Sequence, residues 1–229
     1  MTDQELIEAL RGFSSPTISN ALAELRAGDP TLGFSDGSLD CLFPDLGPMS
    51  GVAMTVEIET VNPGVTMPGP GPLFLELLGQ IDALDVPAVV VAHEVGTSGT
   101  YAAHCGEVLA ASLKAVGAIG VVTDGAVRDV EAIRGLGIHV FSRGVVPSSG
   151  AARLVRLGRR VSMGRLQVGQ GDILHLDANG LVVVPRGVAE RVPPVAQQIV
   201  AAERDIVNYT KSDGFTLQGL IDRLGGGPG

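Results

Sequence analysis

The sequence predicts an α/β fold, and three observations carry that expectation. From Glu107 to Gly144 helix-like and strand-like segments alternate, "EVLAASLKAVGA", "IGVVTDG", "AVRDVEAIRGLG" and "IHVFSRG", the pattern that lays down a parallel sheet. The last third, "RRVSMGRLQVGQGDILHLDANGLVVVP", instead holds short β runs parted by Gly-Asp and Asp-Ala-Asn-Gly turns, which suggests antiparallel strands. Apolar residues make up 45% of the chain and aromatics only 3%, with no Trp, so the interior must be layered from Val, Leu, Ile and Ala.

The elements follow in chain order. "MTDQELIEALRGF" sets Leu6, Ile7 and Leu10 at helical spacing, with Thr2 or Asp3 as cap and Gly12 as stop. "SSPTISNALAEL" predicts a second helix, Ser15 preceding Pro16 at the first helical position. Residues 27–50, rich in Gly, Asp and Pro, read as irregular surface. "GVAMTVEIETV" alternates well enough for a strand, and "NPGVTMPGPGP" after it reads as a covering loop. "LFLELLGQIDAL" predicts a helix, "VPAVVVAHEV" a strand and "GTSGTYAAHCG" a further loop. A helix with Pro193 and Pro194 near its start, "GVAERVPPVAQQIVAAERDIVNYTK", closes the fold before a frayed Gly-rich tail.

At 229 residues the chain is long enough to hide roughly 70% of its unfolded surface, and one domain over 1–229 is the simplest organisation. Its 16 basic and 25 acidic residues give a net charge of −9, which repels phosphate backbones and argues against direct nucleic-acid binding. Cys41 and Cys105 have neither zinc-knuckle nor disulfide spacing. The acidic, amphipathic start lacks the features of an export signal, and no apolar run reaches the length of a membrane span, so the expected location is cytoplasmic.

Several motifs fail. "HEVGT" at His93 lacks the second His that a metalloprotease needs at position 97, which is Thr, leaving His93 as a strand-end residue. No GxGxxG follows a strand, and neither a Walker loop nor a GxSxG elbow is present. What survives is "CGEVLAASLKAVGAIGVVTDGAVRD". Gly106-Glu107 opens one helix and Asp124-Gly125 ends the next strand, at loop edges where α/β layers place ligands. Arg128 and Asp129 are expected in the first turn of the following helix, where free N–H groups favour an anion and Asp129 can turn outward to a metal. Two readings stay open on spacing alone. In one, Asp124 caps the helix and Arg128 pairs with Asp129 or Glu131; in the other, the cation faces a bound carboxylate.

The order Gly106-Glu107, twenty residues, Arg128-Asp129, with Asp124-Gly125 just before, resembles the RraA-like proteins, those similar to the regulator of ribonuclease activity A. The resemblance covers roughly residues 10–225, through "SSPTISNAL", "GPMSGVAMTVE", "GIHVFSRGVVP" and "GDILHLDANGLVVVP". Asn20, Gln170 and Ala132 depart from the family's usual pattern, the acidic residue expected at 132 standing one place early as Glu131. The resemblance implies a three-layer β/β/α sandwich of the swivelling-domain type, assembled as a homotrimer or homohexamer. It also implies a lyase, the class II pyruvate aldolase acting on 4-hydroxy-4-methyl-2-oxoglutarate or 4-carboxy-4-hydroxy-2-oxoadipate, with an oxaloacetate decarboxylase side activity. The alternative within the family is a non-catalytic regulator that binds a ribonuclease.

Cleavage beside a 2-oxo acid leaves pyruvate enolate, whose charge needs a Schiff-base lysine or a divalent metal. The only lysines, Lys114 and Lys211, have no apolar pocket legible around them, so Mg²⁺ or Mn²⁺ is the expected cofactor. By the resemblance Asp129 is the direct metal ligand, and Glu107 and Asp124 act through water. Arg128 then meets the keto oxygen, while Gly106, Glu107 and Val108 seat the substrate carboxylate. A simple first-turn dipole partner is the alternative role for Glu107. Glu203 or Asp205 of a neighbouring subunit is a further candidate to assist.

Overall fold

A computed structural model describes residues 1–29, 32–60, 71–96 and 101–225. Of the loop expected at 62–72, residues 62–70 lie outside the described residues and 71–72 open a helix; of the Gly-rich tail at 225–229, residues 226–229 lie outside them.

Helix α1 (Asp3–Leu10) starts at Thr2, whose hydroxyl accepts the Glu5 N–H at 3.2 Å while the Glu5 carboxylate accepts the Thr2 N–H at 2.8 Å. Helix α2 (Ser15–Glu24) begins one residue earlier than the Pro16 rule suggests, because Ser14 is the cap, accepting from Thr17 N–H at 3.3 Å. Ser15 is thereby turned inward. Its N–H donates to Asp177 at 2.8 Å and its hydroxyl meets His175 Nδ1 at 2.9 Å. This buried Ser-His pair is a lock rather than a nucleophile, since His175 Nε2 is spent on the Phe13 carbonyl at 3.0 Å and all three residues are nearly sealed from solvent.

The segment 27–50 is more than surface. Strand β1 (Asp40–Cys41) pairs with a later strand and Phe43 is wholly buried, with the Arg134 guanidinium 5.1 Å above its ring. Strand β2 (Met49–Thr60) follows, then α3 (Gly71–Asp82), β3 (Ala88–Glu94), β4 (Ala103–Cys105), α4 (Glu107–Ala115) and β5 (Ala118–Thr123). The expected helix over 126–137 is instead a short strand, β6 (Ala126–Val127), and a shorter helix, α5 (Val130–Leu136). After β7 (His139–Ser142) and β8 (Gly144–Val145) comes β9 (Ala152–Leu157), which the sequence pattern does not announce. Hairpins β10 (Val161–Met163) with β11 (Leu166–Val168) and β12 (Ile173–Asp177) with β13 (Gly180–Val184) are antiparallel, as expected. Helices α6 (Val192–Thr210) and α7 (Leu217–Arg223) end the chain.

The main sheet runs β1-β7-β5-β3-β2-β12-β13, parallel from β7 to β2 and antiparallel elsewhere. The far edge of β2 is shared, by β12 along Met49–Val52 and by β9 along Val56–Thr60. The central strands are buried on both faces, so they read as apolar runs rather than strict alternations. In β3, Val90 and Ala92 face a core closed by α3, α4 and α5, while Val89 and Val91 face the β10–β11 hairpin. Hairpin, sheet and helices make the three β/β/α layers, and α1, α2 and α6 cover β12 and β13 as a side cluster. Past the C-terminal ends of β5 and β7 the chain continues into β6 and β8, which with β4 form a small parallel sheet that carries the site residues.

Candidate active site

The C-terminal ends of β3 and β5, where ligands of open α/β sheets lie, hold His93, Glu94, Thr123 and Asp124. The chain leaves β5 through Asp124-Gly125 and enters β6, whose Val127 pairs with Cys105 of β4. The Arg128 N–H then donates to the Cys105 carbonyl at 3.0 Å. This short parallel pairing brings Gly106-Glu107 alongside Arg128-Asp129 across the twenty-residue gap.

Arg128 and Asp129 therefore precede α5 instead of occupying its first turn. Asp129 is the N-cap residue and sits in the left-handed region, φ 59° and ψ 37°, with no capping hydrogen bond from its side chain. A non-glycine residue there is uncommon, Asp and Asn entering it more readily than other types, and the surroundings hold Asp129 in it. What the conformation achieves is aim. The Asp129 Oδ2 accepts from the Glu107 N–H at 3.2 Å and lies 3.3 Å from Arg128 Nε. Both side chains are 40% exposed. Among the described residues Asp129 Oδ1, the Arg128 Nη groups and the Glu107 carboxylate have no partner, and these free groups define the open face of the site.

Gly106 is part of the geometry. A Cβ on it would fall 2.7 Å from Asp129 Oδ2 and 3.0 Å from Arg128 Nε. Gly106 also caps α4 in an extended conformation, leaving the first N–H groups of that helix without intrahelical partners. Glu107's goes to Asp129, and those of Val108 and Leu109 have no partner among the described residues.

Asp124 is placed elsewhere than expected. It is 7% exposed, and its oxygens accept from the Glu94 N–H at 2.7 Å and meet His93 Nδ1 at 2.7 Å. It does not cap α5, and no contact among the described residues joins it to Glu107, Arg128 or Asp129. Of the two parts of the first reading left open by spacing, the Arg128–Asp129 pair is present and the Asp124 cap is absent. Sequence reasoning missed the partners of this corner, Glu94, His104 and Thr123, because only the fold brings residues from three strand ends together.

The lysines stay outside this chemistry. Lys114 stands in the last turn of α4, donating to the Gly137 carbonyl at 3.3 Å, and Lys211 is the C-cap of α6. Cys105, adjacent to the site, is fully buried, and burial pushes its thiol up to about 12, so it is no nucleophile at neutral pH. Asp205 is exposed and 3.2 Å from Arg223, and Glu203 is exposed.

A sequence model of the RraA-like family, described as Aldolase/RraA, matches residues 16–183. A protein of Halalkalibacterium halodurans, provisionally named a 4-hydroxy-4-methyl-2-oxoglutarate aldolase, is 32% identical over 123 residues, 53% of this chain and 59% of that one. The chain thus spans less than two-thirds of that relative's length. RraAS2 of Streptomyces coelicolor, described as an unusual member of the RNase ES inhibitor RraA family, superposes with a TM-score of 0.69 at 25% identity, over 89% of this chain and 96% of that one. An uncharacterized Pseudomonas syringae protein shares the fold at a TM-score of 0.73 and 23% identity, over 96% and 93% of the two chains. No helix among the described residues is long and apolar enough to cross a membrane.

Proposed function

The chain belongs to the RraA-like family, and from that premise we propose that it is a divalent-metal-dependent lyase cleaving a 4-hydroxy-2-oxo acid to release pyruvate. The observation that carries this reading is the junction of Gly106-Glu107 with Arg128-Asp129, where a left-handed Asp129 is held by one oxygen and left free at the other.

The donor set fits one kind of ion. Among the described residues no group of three or more His, Cys, Asp or Glu is placed to hold a metal, so this junction lacks the ligand set that encloses a structural zinc. A single carboxylate with solvent completing the sphere suits Mg²⁺ or Mn²⁺, so Asp129 would hold the ion, with Glu107 reaching it through water. When bound, the ion supplies an electrophile for the negative charge that develops on the substrate's 2-oxo oxygen.

The chain's own residues do the rest. The Val108 and Leu109 N–H groups at the start of α4 receive the substrate carboxylate. Arg128 donates its free Nη groups to the 2-oxo oxygen, where charge grows as the C3–C4 bond breaks and its electron pair passes to the pyruvate enolate. The C4 hydroxyl gives up its proton as C4 becomes a carbonyl, and the Glu107 carboxylate, exposed and without a partner among the described residues, is the candidate to pass a proton on to C3 of the enolate, which completes pyruvate. Asp124 holds the loop, fixed by His93 and Glu94. Loss of CO₂ from oxaloacetate reaches the same enolate and is expected as a side activity. In a trimer or hexamer, an acidic group of a neighbouring subunit, Glu203 or Asp205, is a further candidate to assist.

The likeness to a member of the RNase ES inhibitor RraA family favours one other reading, a regulator that binds a ribonuclease. A coupled pyruvate assay on oxaloacetate and a panel of 4-hydroxy-2-oxo acids, with Mg²⁺, with Mn²⁺ and with EDTA, separates the two. Metal-dependent pyruvate release that EDTA abolishes supports the lyase. No turnover with either ion, together with capture of a ribonuclease, supports the regulator.

A further inference from the structure

Behind the loop that carries Arg128 and Asp129 runs a chain of buried polar groups that the chemistry above does not use. Glu94 accepts four hydrogen bonds. Its Oε1 takes the N–H groups of Thr60 at 2.9 Å and Gly96 at 2.7 Å, and its Oε2 takes the Thr60 hydroxyl at 2.6 Å and His104 Nε2 at 2.8 Å. Burial raises such a carboxylate's pKa, but these donors outweigh it and hold Glu94 below its ordinary value, so it is ionised and can only accept. His104 Nε2 must then carry the hydrogen. Burial holds the His104 imidazole below its ordinary pKa, so the ring is neutral near pH 7 and Nδ1 is an acceptor.

The rest of the chain has one consistent direction. Thr123 Oγ1 lies 2.7 Å from His104 Nδ1 and accepts the Gly125 N–H at 3.0 Å. Gly125 thus donates to Thr123, Thr123 to His104, and His104 to Glu94. With a doubly protonated ring, Thr123 Oγ1 would receive two donors and its own hydrogen would lack an acceptor among the described residues. The His104 ring also packs against Gly125, where a Cβ would fall 2.5 Å from Nδ1 and 2.6 Å from Nε2.

This chain bridges the two halves of the site. His104 lies in β4, two residues before Gly106, and Gly125 lies three residues before Arg128 at the entrance to β6. We propose that His104 is a positioning residue: held by Glu94 as the Nε2–H tautomer, it fixes the Gly125 turn through Thr123 and so sets the approach of Asp129 to the Glu107 N–H. The inference deepens the lyase reading and rests on it.

Three measurements test it. In metal-free protein labelled with ¹⁵N-histidine, imidazole NMR near pH 7 is expected to show His104 protonated at Nε2. Glu94→Gln, whose amide can donate where the carboxylate accepted, is expected to reverse the tautomer to Nδ1–H. Thr123→Val is expected to weaken Mn²⁺ binding, read by EPR titration, and to lower kcat, each by about 10- to 100-fold, whereas Thr123→Ser keeps the hydroxyl and the parent values. Should the Val variant not fold, His104→Gln, which keeps a donor for Glu94 but offers Thr123 no ring acceptor, takes its place with the same expected losses. An Nδ1–H tautomer in the parent, or folded variants with parental Mn²⁺ affinity and kcat, would overturn the positioning role and leave the lyase reading intact. A parent that neither binds Mn²⁺ nor releases pyruvate overturns the lyase reading, and this inference with it.

Discussion

A single methyl group at Gly106 tests the site with little interference from folding. Gly106 has φ −139° and ψ −175°, a conformation that any residue adopts, so Gly106→Ala introduces no backbone strain. The new Cβ would lie 2.7 Å from Asp129 Oδ2, about 0.7 Å inside the 3.4 Å at which ordinary contact begins, and 3.0 Å from Arg128 Nε. Something must move, and the half-exposed Asp129 side chain can swing more easily than the paired strands β4 and β6. Swinging it out forfeits the Glu107 N–H hydrogen bond, about 1 kcal/mol, and an exposed ion pair that contributes at most about 1 kcal/mol. Replacing Gly by Ala at a compatible position returns about 0.4–1 kcal/mol through the unfolded chain. The net loss is on the order of 1 kcal/mol, which for a chain of this size moves Tm by about 2–4 °C. Catalysis has no such compensation, because a displacement approaching 1 Å at the reacting groups costs about 100-fold. Thermal melting and pyruvate release measured on the same preparation give the two numbers. A variant that melts near the parent and keeps its full kcat would refute the assignment of this junction as the site, as would one that loses activity only because it unfolds.

Other substitutions separate charge from conformation. Arg128→Ala is expected to lower kcat by about 100- to 1000-fold, as loss of a donor at developing charge does, with Tm little changed because the pair it breaks is 40% exposed on both sides; melting and steady-state kinetics check both. Asp129→Asn tolerates the left-handed conformation but removes the charge, so it should fold like the parent and fail to recover activity with added Mn²⁺, whereas Asp129→Ala should also lose roughly 1–2 kcal/mol of stability to strain. Stability should fall on the acid side in two stages. Burial depresses His104, His139 and His175 in the folded state, so the unfolded chain binds more protons and their contribution, full above the unfolded value of 6.5, is lost as pH drops through the lower folded values. Glu94 and Asp177, also depressed, keep their contribution above the unfolded values of 4.5 and 3.8 and lose it as pH falls through the folded ones. Melting from pH 8 to pH 3 reads both stages, and a Tm that stays level down to pH 5 would contradict the histidine stage.

Where local rules decide structure, the sequence was sufficient. The Thr2 capping box, the late hairpins and the α4–β5 unit depend on residues within a few positions of one another. Three features depend on distant partners and were not legible. Strand β9 exists because β2, at 12 residues, is longer than β12 and leaves an edge to be paired from Val56 to Thr60. Phe43 sits in a Gly/Asp/Pro-rich segment that reads as surface, yet it is buried in the core under Arg134. Ala126-Val127 continues a helical pattern in sequence, but the parallel edge offered by β4 captures it as strand and pushes the helix start to Val130.

That last displacement explains why the site was legible in its membership and not in its form. The Glu107, Arg128 and Asp129 spacing is a linear signature, so it survives any error in secondary structure. Reading Arg128 as a first-turn residue left a bound carboxylate as one of two possible partners for its charge. In the fold Arg128 lies before the N-cap, its Nε already faces Asp129, and the argument for an anion passes to its free Nη groups and to the N–H groups of α4. Asp124 illustrates the converse. Its place beside the motif suggested a share in the metal chemistry, but burial and two partners at 2.7 Å give it to the strand ends instead. Proximity in sequence marks what the loop contains, and only the pairing of β4 with β6 decides which of those side chains face the substrate.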